Sequence, residues 1–482
     1  MIKKILTITI TISALTLTAQ DEIDALRYST QDLIGTARYT SLGGAFGSLG
    51  GEFSGLSSNP AGIGMFQYSE VTFTPYMNLN SNRSYYNNTY KDAYRSELSL
   101  GNLGLVLNIP QSTTNWKRIN IGIGWNQLAN YNNAIKIEEQ NNSSIVDQII
   151  DITNGTLISD IQNERGNYIS EMAWYTYLID PLLDTSNNII DGQYVSNFSS
   201  NHKSQRKIMT SNGGINEFVL SIGGSYKEKI YLGATIGIPN LNYYEYSEYI
   251  EAEISDTSNN LQRMFFSEEK AVYGTGYNLK IGAIYRLSEN TKIGGALHTP
   301  TFFNIEEDYN TNITTSFKDS SRSYTMGYFN PINYNLITPL KASISASTIF
   351  NNFMISAEYE MIDYSTAEYL NTDFEVENRT IENDYQQTEN IKLGVEMNMK
   401  PIMFRVGYSK YGSPFETKDF SRENFSYGVG VNNSSYFIDV AYVLSQSSNQ
   451  YKLYGEFPQE SWEGRVIGVM KKIDPTSKQP LF

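Results

Sequence analysis

The sequence has no cysteine, only two histidines, and no apolar run after its first 20 residues that could cross a bilayer as a helix. Without cysteine there are no disulfide staples and no thiolate metal sites. The two histidines, His202 and His298, are far apart in sequence. Neither has partners at the spacing a metal site or a catalytic triad needs. Catalysis, a resident metal and a cofactor are therefore not expected. Basic residues are a minority: 36 Lys and Arg against 51 Asp and Glu leave a formal charge of −15. Nucleic acid, whose phosphates need a basic footprint, is excluded as a partner. The glycines of 274-GTGYNLKIG-282 lie within a strand pattern and make no phosphate loop. Glu306, Glu307 and Asp308 read as a solvated acidic loop.

Aromatic residues and glycine are abundant: 37 Tyr, 22 Phe and 36 Gly. Tyr and Phe suit strands, and Tyr also suits a membrane–water interface, where its ring keeps one end wet. The mean hydropathy of −0.38 is that of a soluble protein on a simple scan. A membrane barrel has the same low average, because it shows lipid only every second residue. The N-terminus reads as an export signal over residues 1–19, with Lys3 and Lys4, an apolar run from Ile5 to Leu17, and small Ala19 before the cleavage point. That run is too short for a membrane-spanning helix, at about 1.5 Å rise per residue against a core of about 30 Å.

A two-residue alternation runs from about Tyr68 to Ile473. Ile119, Ile121, Ile123 and Trp125 share one face against Asn120, Gly122, Gly124 and Asn126 on the other. The pattern returns at Leu340, Ala342, Ile344 and Ala346, and again at Ile391, Leu393, Val395 and Met397. Such alternation means strands with one apolar and one polar face. About fourteen candidates result, at 68–80, 96–109, 117–131, 216–227, 230–244, 271–287, 291–305, 332–349, 353–368, 386–399, 402–410, 424–432, 435–446 and 463–473. The links after even-numbered candidates are short, and those after odd-numbered ones are long and polar. A soluble sandwich has no reason to gather its long loops at one end, whereas an outer-membrane barrel has short periplasmic turns and long extracellular loops. The expected fold is thus all-β: a transmembrane antiparallel β-barrel occupying residues 67–473, in the outer membrane of a Gram-negative cell.

Two segments stand apart. Residues 20–66 hold Gly43, Gly44, Gly47, Gly50, Gly51, Gly55, Gly62 and Gly64, interleaved with Phe46, Phe53 and Phe66. Glycine at this density permits tight irregular backbone, which suits a plug inside a lumen. The longest loop, at about 132–215, has isoleucines near helical spacing over 144–161. Its residues Trp174, Tyr175 and Leu178 lie in an apolar cluster that needs a partner, either the loop's own core or a hydrophobic ligand at the barrel mouth.

The stretch 38-RYTSLGGAFGSLGGEFSGLSSNPAGIG-64 resembles the N-terminal region of the FadL/TodX family of outer-membrane transporters for long-chain fatty acids and aromatic hydrocarbons. Its GGA is Gly43, Gly44 and Ala45, followed by Asn59, Pro60 and Ala61. Further resemblance follows in order at 338-TPLKASISAS-347, 355-ISAEYEMIDYS-365, 391-IKLGVEMNMK-400, 402-IMFRVGYSKYGSP-414, 426-SYGVGVN-432 and 438-IDVAY-442. The resemblance implies a fourteen-stranded barrel with an N-terminal hatch and passive diffusion of small hydrophobic molecules to a lateral exit. It places Gly43, Gly44, Phe46, Asn59, Pro60 and Ala61 at the hatch or gate. It also makes the third strand the kinked one, with Gly122, Gly124 and Asn126 as the weak points. The partners it implies are outer-membrane lipid, a small hydrophobic substrate and the barrel-assembly machinery, for a chain acting as a monomer. A barrel of the same fold serving secretion, adhesion or haem acquisition is the alternative. Two departures stand out. A polar tail at 474–482 follows the last strand. The inward-parity cations Lys280, Arg286, Lys341, Lys392 and Arg405 are matched by Glu358, Glu360, Glu396 and Asp439, so paired charges lining the lumen account for them.

Overall fold

The computed structural model describes residues 22–471, apart from 87–88, 112–114, 164, 166, 199–202, 254–260, 319, 328–330, 372–373, 434–435 and 454–465. The expected signal peptide and the tail at 474–482 lie outside the described residues, as does His202. Among the described residues no helix is long and apolar enough to cross a membrane.

Strands dominate. In chain order they are β1 (Glu70–Tyr86), β2 (Thr89–Pro110), β3 (Trp116–Asn130), β4 (Asn133–Asn141), β5 (Ile179–Leu183), β6 (Ile189–Ser196) and β7 (Lys203–Tyr226). Then follow β8 (Ile230–Glu253), β9 (Leu261–Arg286), β10 (Thr291–His298), β11 (Phe302–Phe317), β12 (Ser321–Gly327), β13 (Ile332–Ile337) and β14 (Lys341–Phe350). The last are β15 (Phe353–Asp363), β16 (Glu368–Tyr369), β17 (Gln387–Met399), β18 (Ile402–Tyr411), β19 (Arg422–Asn432), β20 (Phe437–Lys452) and β21 (Val466–Lys471). All but β5 and β6 join one antiparallel sheet. Its ladder runs β1–β2–β3–β7–β8–β9–β10–β14–β15–β17–β18–β19–β20–β21. β21 also pairs with β1, at Arg83↔Met470 and Ser84↔Val469. β4 continues β3 along β7, and β11 continues β10 along β9.

Each ladder element matches a segment that alternation picks out in the sequence, but several strands run further than expected. β7 and β9 have 24 and 26 residues. The long loop expected from about 132 is strand as far as Asn141, and strand resumes at Lys203. The link expected between the first two candidates is likewise largely strand, paired from Asn80↔Arg95 to Tyr86↔Thr89. These extensions carry polar residues on both faces, so the apolar alternation that marks a strand in sequence fades while backbone pairing continues.

The sheet's two faces are inverted relative to a water-soluble protein. Along β17, Ile391, Leu393 and Val395 are exposed, while Asn390, Lys392 and Glu396 are buried. β18 repeats this with exposed Ile402, Phe404 and Val406 flanking buried Arg405. β20 exposes Ile438, Val440 and Tyr442, with Val440 at 69%. In a half-buried soluble sheet the apolar face is the covered one. An uncovered apolar face shared by strand after strand far exceeds the few hundred Å² that a soluble monomer shows.

The buried face is covered by residues 22–66, with α1 (Glu22–Ser29), α2 (Ala37–Ser41) and two 3₁₀ turns, Ser54–Ser57 and Pro60–Met65. The Thr36 side chain accepts from Tyr39 N and caps α2, while Asn59 caps the second 3₁₀ turn with Pro60 at its first position. Gly43, Gly44, Gly50 and Gly51 take φ of 63–75°, a region where a side chain is strained. Between β4 and β7 lie α3 (Ile145–Thr153), α4 (Ile158–Gln162), α5 (Tyr168–Tyr175) and the β5–β6 hairpin; α6 (Glu375–Asp384) lies between β16 and β17.

Candidate functional site

Strand glycines mark where the N-terminal segment rests. Gly104 and Gly124 face the Phe53 ring, Gly122 faces Ile63 and Leu56, and Gly233 backs onto the Pro60 carbonyl. Gly394 lies against Leu42, Gly407 against Gly43, and Gly428 against Ser41. A Cβ at any of these except Gly122 would come within 3.0 Å of the segment, so only glycine lets it sit so close to the sheet. Most of these glycines were not expected as site residues from sequence. The available signal is glycine on the polar parity of an otherwise alternating strand.

Asn59 is the central polar tie. Its Nδ2 donates to Gly47 O at 2.6 Å and lies 3.3 Å from both Ala283 O and Gly295 O, while its Oδ1 accepts from Ala61 N at 3.0 Å. One buried side chain therefore joins two parts of the segment to β9 and β10. Ala61 packs with Tyr231 and Ile284. Phe46 is buried with Leu42, Leu49 and Met354, under the Tyr39 ring at 5.5 Å. Gly43 backs onto the main chain of Tyr408, and Gly44 onto Leu33 and Tyr39. The six residues expected at the hatch are thus all in the segment that covers the sheet.

Several charged residues of the buried face are paired, and some reach into the segment. Arg405 donates to Glu396 at 2.6 Å and to Asp439 at 2.5 Å, and Arg38 of α2 adds a second contact on Glu396 at 3.3 Å. Glu358 accepts from Lys392 at 2.8 Å and from Gly47 N at 2.7 Å. Lys341 donates to Gln31 at 2.7 Å and lies 3.6 Å from Glu360. Lys280 pairs with Glu217, and Arg422 with Asp32. Arg286 instead lies over the Tyr231 ring at 5.8 Å. His298 Nε2 is 3.0 Å from Ser58 O, so that nitrogen carries the proton. Within the segment, burial pushes the Glu52 carboxyl up, although Thr36 and Gly55 N donate to it. α1 lies deeper on the same face, with Ala25 and Tyr28 among Tyr243, Phe303, Tyr334 and Tyr369. Its Arg27 lies over Tyr243 at 4.4 Å, and its Asp24 pairs with Lys270.

Beside this segment the backbone ladder stops short. β2 pairs with β1 from Thr89 to Val106 but with β3 only from Asn102↔Asn126 to Pro110↔Arg118. Past Asn126 side chains of β1 take over: Tyr76 donates to Gln127 at 2.7 Å, Asn78 to Asn130 at 3.1 Å, Asn80 to Asn132 O at 3.0 Å and Asn82 to Ala134 O at 2.6 Å. Register passes unbroken through Gly122 and Gly124 on both sides, and the irregularities of β3 lie at Trp116/Arg118 and Gln127/Ala129. Asn126 stands where the ladder ends. It accepts from Asn102 at 2.7 Å and donates to Ser57 of the N-terminal segment at 3.0 Å.

Leu178 and Trp174 share one apolar core, and Tyr175 lies at its edge. Leu178 is fully buried, in a core that includes Ile149, Met172, Met264, Phe266 and Ile313. Trp174 packs on that core, edge-on to Tyr194 at 6.3 Å, and exposed Tyr175 stacks on Tyr324 at 5.0 Å. The loop's own core and the strand extensions below it cover most of its apolar surface.

No family model and no curated protein matches the sequence. Solved structures do. A FadL homologue from Pseudomonas aeruginosa superposes with a TM-score of 0.50 at 12% identity, over 92% of this chain and 96% of that one. A deletion mutant of the monoaromatic hydrocarbon channel TodX gives 0.50 at 12% identity, over 92% of this chain and 100% of that one. The chain has the FadL/TodX fold. At 12% identity the likeness concerns the path of the backbone, and the residues of this site are read from its own geometry.

Proposed function

We propose that this ladder closes as a fourteen-stranded outer-membrane barrel, with residues 20–66 as a hatch in its lumen and the long loops outside the cell. The barrel passes small hydrophobic molecules, fatty-acid-like or aromatic, by passive diffusion. The observation that carries this reading is the interrupted β2–β3 ladder at Asn126, tied by Asn126 itself to hatch residue Ser57. A closed backbone ladder offers no side passage; a seam of asparagine side chains can part without breaking strand pairing. An apolar solute leaving there enters lipid directly. It avoids a water-filled exit, which would forfeit about 25 cal/mol for each Å² of apolar surface. The inverted faces of the sheet support the membrane setting, and the solved structures of like fold are described as hydrocarbon channels or FadL homologues.

The test is uptake of an apolar fluorescent probe by Gram-negative cells carrying the whole protein, compared with the same protein lacking residues 20–66. Faster uptake than in cells without the protein, impaired by the deletion, is expected. Steady ion conductance in planar bilayers without apolar uptake would sink the proposal in favour of a general porin.

A further inference from the structure

On the exposed face near the β7–β8 turn lies an apolar groove of about 420 Å³, lined by Trp116, Ile119, Ile222, Gly224, Leu232 and Ala234. Its cause is local. Gly224 and Ala234 lack bulk between the exposed side chains of Ile222 and Leu232, and the Trp116 ring packs over Gly224. The end of the groove nearest the turn is aromatic, with Trp116 edge-on to Tyr226 at 5.5 Å.

The turn beside it is basic in a chain whose net charge is −15. Lys227 and Lys229 flank the turn and Lys117 stands next to Trp116; all three are exposed. Lys227 lies 5.5 Å from the Tyr226 ring centre, and its backbone N–H donates to Asn115 O at 2.8 Å, which ties the turn to the residue before β3. The one carboxylate of the turn, Glu228, is engaged by Arg118 at 3.1 Å. On the adjoining β9–β10 turn the one acidic residue is Glu289.

We infer that this groove is a binding site for an anionic phospholipid of the leaflet at the short-turn side. One acyl chain fills the apolar dent, and Lys117, Lys227 and Lys229 hold the phosphate. The inference rests on the membrane-barrel reading, and the charge of the rim selects the occupant. A zwitterionic lipid would fill the dent equally well but gain little from three lysines. Near a membrane surface each basic residue contributes about 1 kcal/mol towards an anionic lipid.

The experiment uses the full chain in vesicles, with Trp125, Trp174 and Trp462 replaced by Phe so that Trp116 alone reports. Quenching of Trp116 is measured with phosphatidylglycerol or phosphatidylcholine brominated on the acyl chain. Expected is a preference of roughly fivefold or more for the anionic lipid, the effect of about one lysine. The preference should be lost in the triple variant K117Q/K227Q/K229Q with its heat-modifiable gel migration unchanged. Equal quenching by both lipids, or a preference that survives in the triple variant, overturns the site. Trp116 left unquenched by either lipid overturns the site and the membrane reading together.

Discussion

Asn59 shows how one side chain can hold a segment in place. It satisfies the Gly47 carbonyl, caps the turn at Ala61 and reaches two strand carbonyls. Removing it leaves buried carbonyls unsatisfied, a cost of about 1–3 kcal/mol. Asn59→Ala should therefore raise hydrogen exchange of amides in 43–64 by roughly tenfold to a hundredfold. Amides of β17 and β18 should be unaffected; equal acceleration in those strands would mean that Asn59 supports the whole sheet. The resemblance puts Asn59, Pro60 and Ala61 at the hatch or gate; in the structure they form a capped turn that touches β8, β9 and β10. The complementary strand glycines are harder to read. Gly233 and Gly394 look like weak strand residues until the surface resting on them is known.

At the scale of elements, the loop helices are latched to the strands through Glu251 of β8. Its carboxylate accepts from Ser144 Oγ at 2.5 Å, Ile145 N at 2.9 Å, Tyr249 at 2.5 Å and Gln205 at 3.0 Å. Two of those donors form the start of α3, where Ser144 also closes a capping box with Asp147. Glu251→Ala should free α3, seen as faster exchange over 144–175 with the β7–β9 ladder still protected. If the loop stays protected, its apolar core alone suffices. Helical spacing of the isoleucines foretells α3, but nothing in the loop names Glu251, about a hundred residues later. The extended ends of β4, β7 and β9 escape sequence reading for a related reason: backbone pairing with a neighbour sustains a strand whose side chains no longer alternate.

For the molecule as a whole, the question is what solvates the exposed apolar face. Leu393 and Val376 are both exposed, one on β17 and one on α6. If lipid covers Leu393, Leu393→Arg should cost about 2–4 kcal/mol in refolding into bilayers. Val376→Arg, in water, should stay within about 0.5 kcal/mol of the parent. Equal, small effects at both positions would mean that the face is wet and the barrel reading is wrong.

Alternation with a period of two was enough to give the sequence its strands, their two faces and a one-sided arrangement of long links, because side-chain direction in a strand is a local property. Charge pairing on the polar face was legible in the same way, and Lys392 with Glu358 and Arg405 with Glu396 are neighbours across adjacent strands. Only the tertiary structure decided where the N-terminal segment rests, which glycines receive it, and that the β2–β3 ladder ends at Asn126 and not at the glycines before it. Those facts depend on contacts such as Gly47 with Glu358 and Arg38 with Glu396, separated by more than three hundred residues, and no local pattern records them.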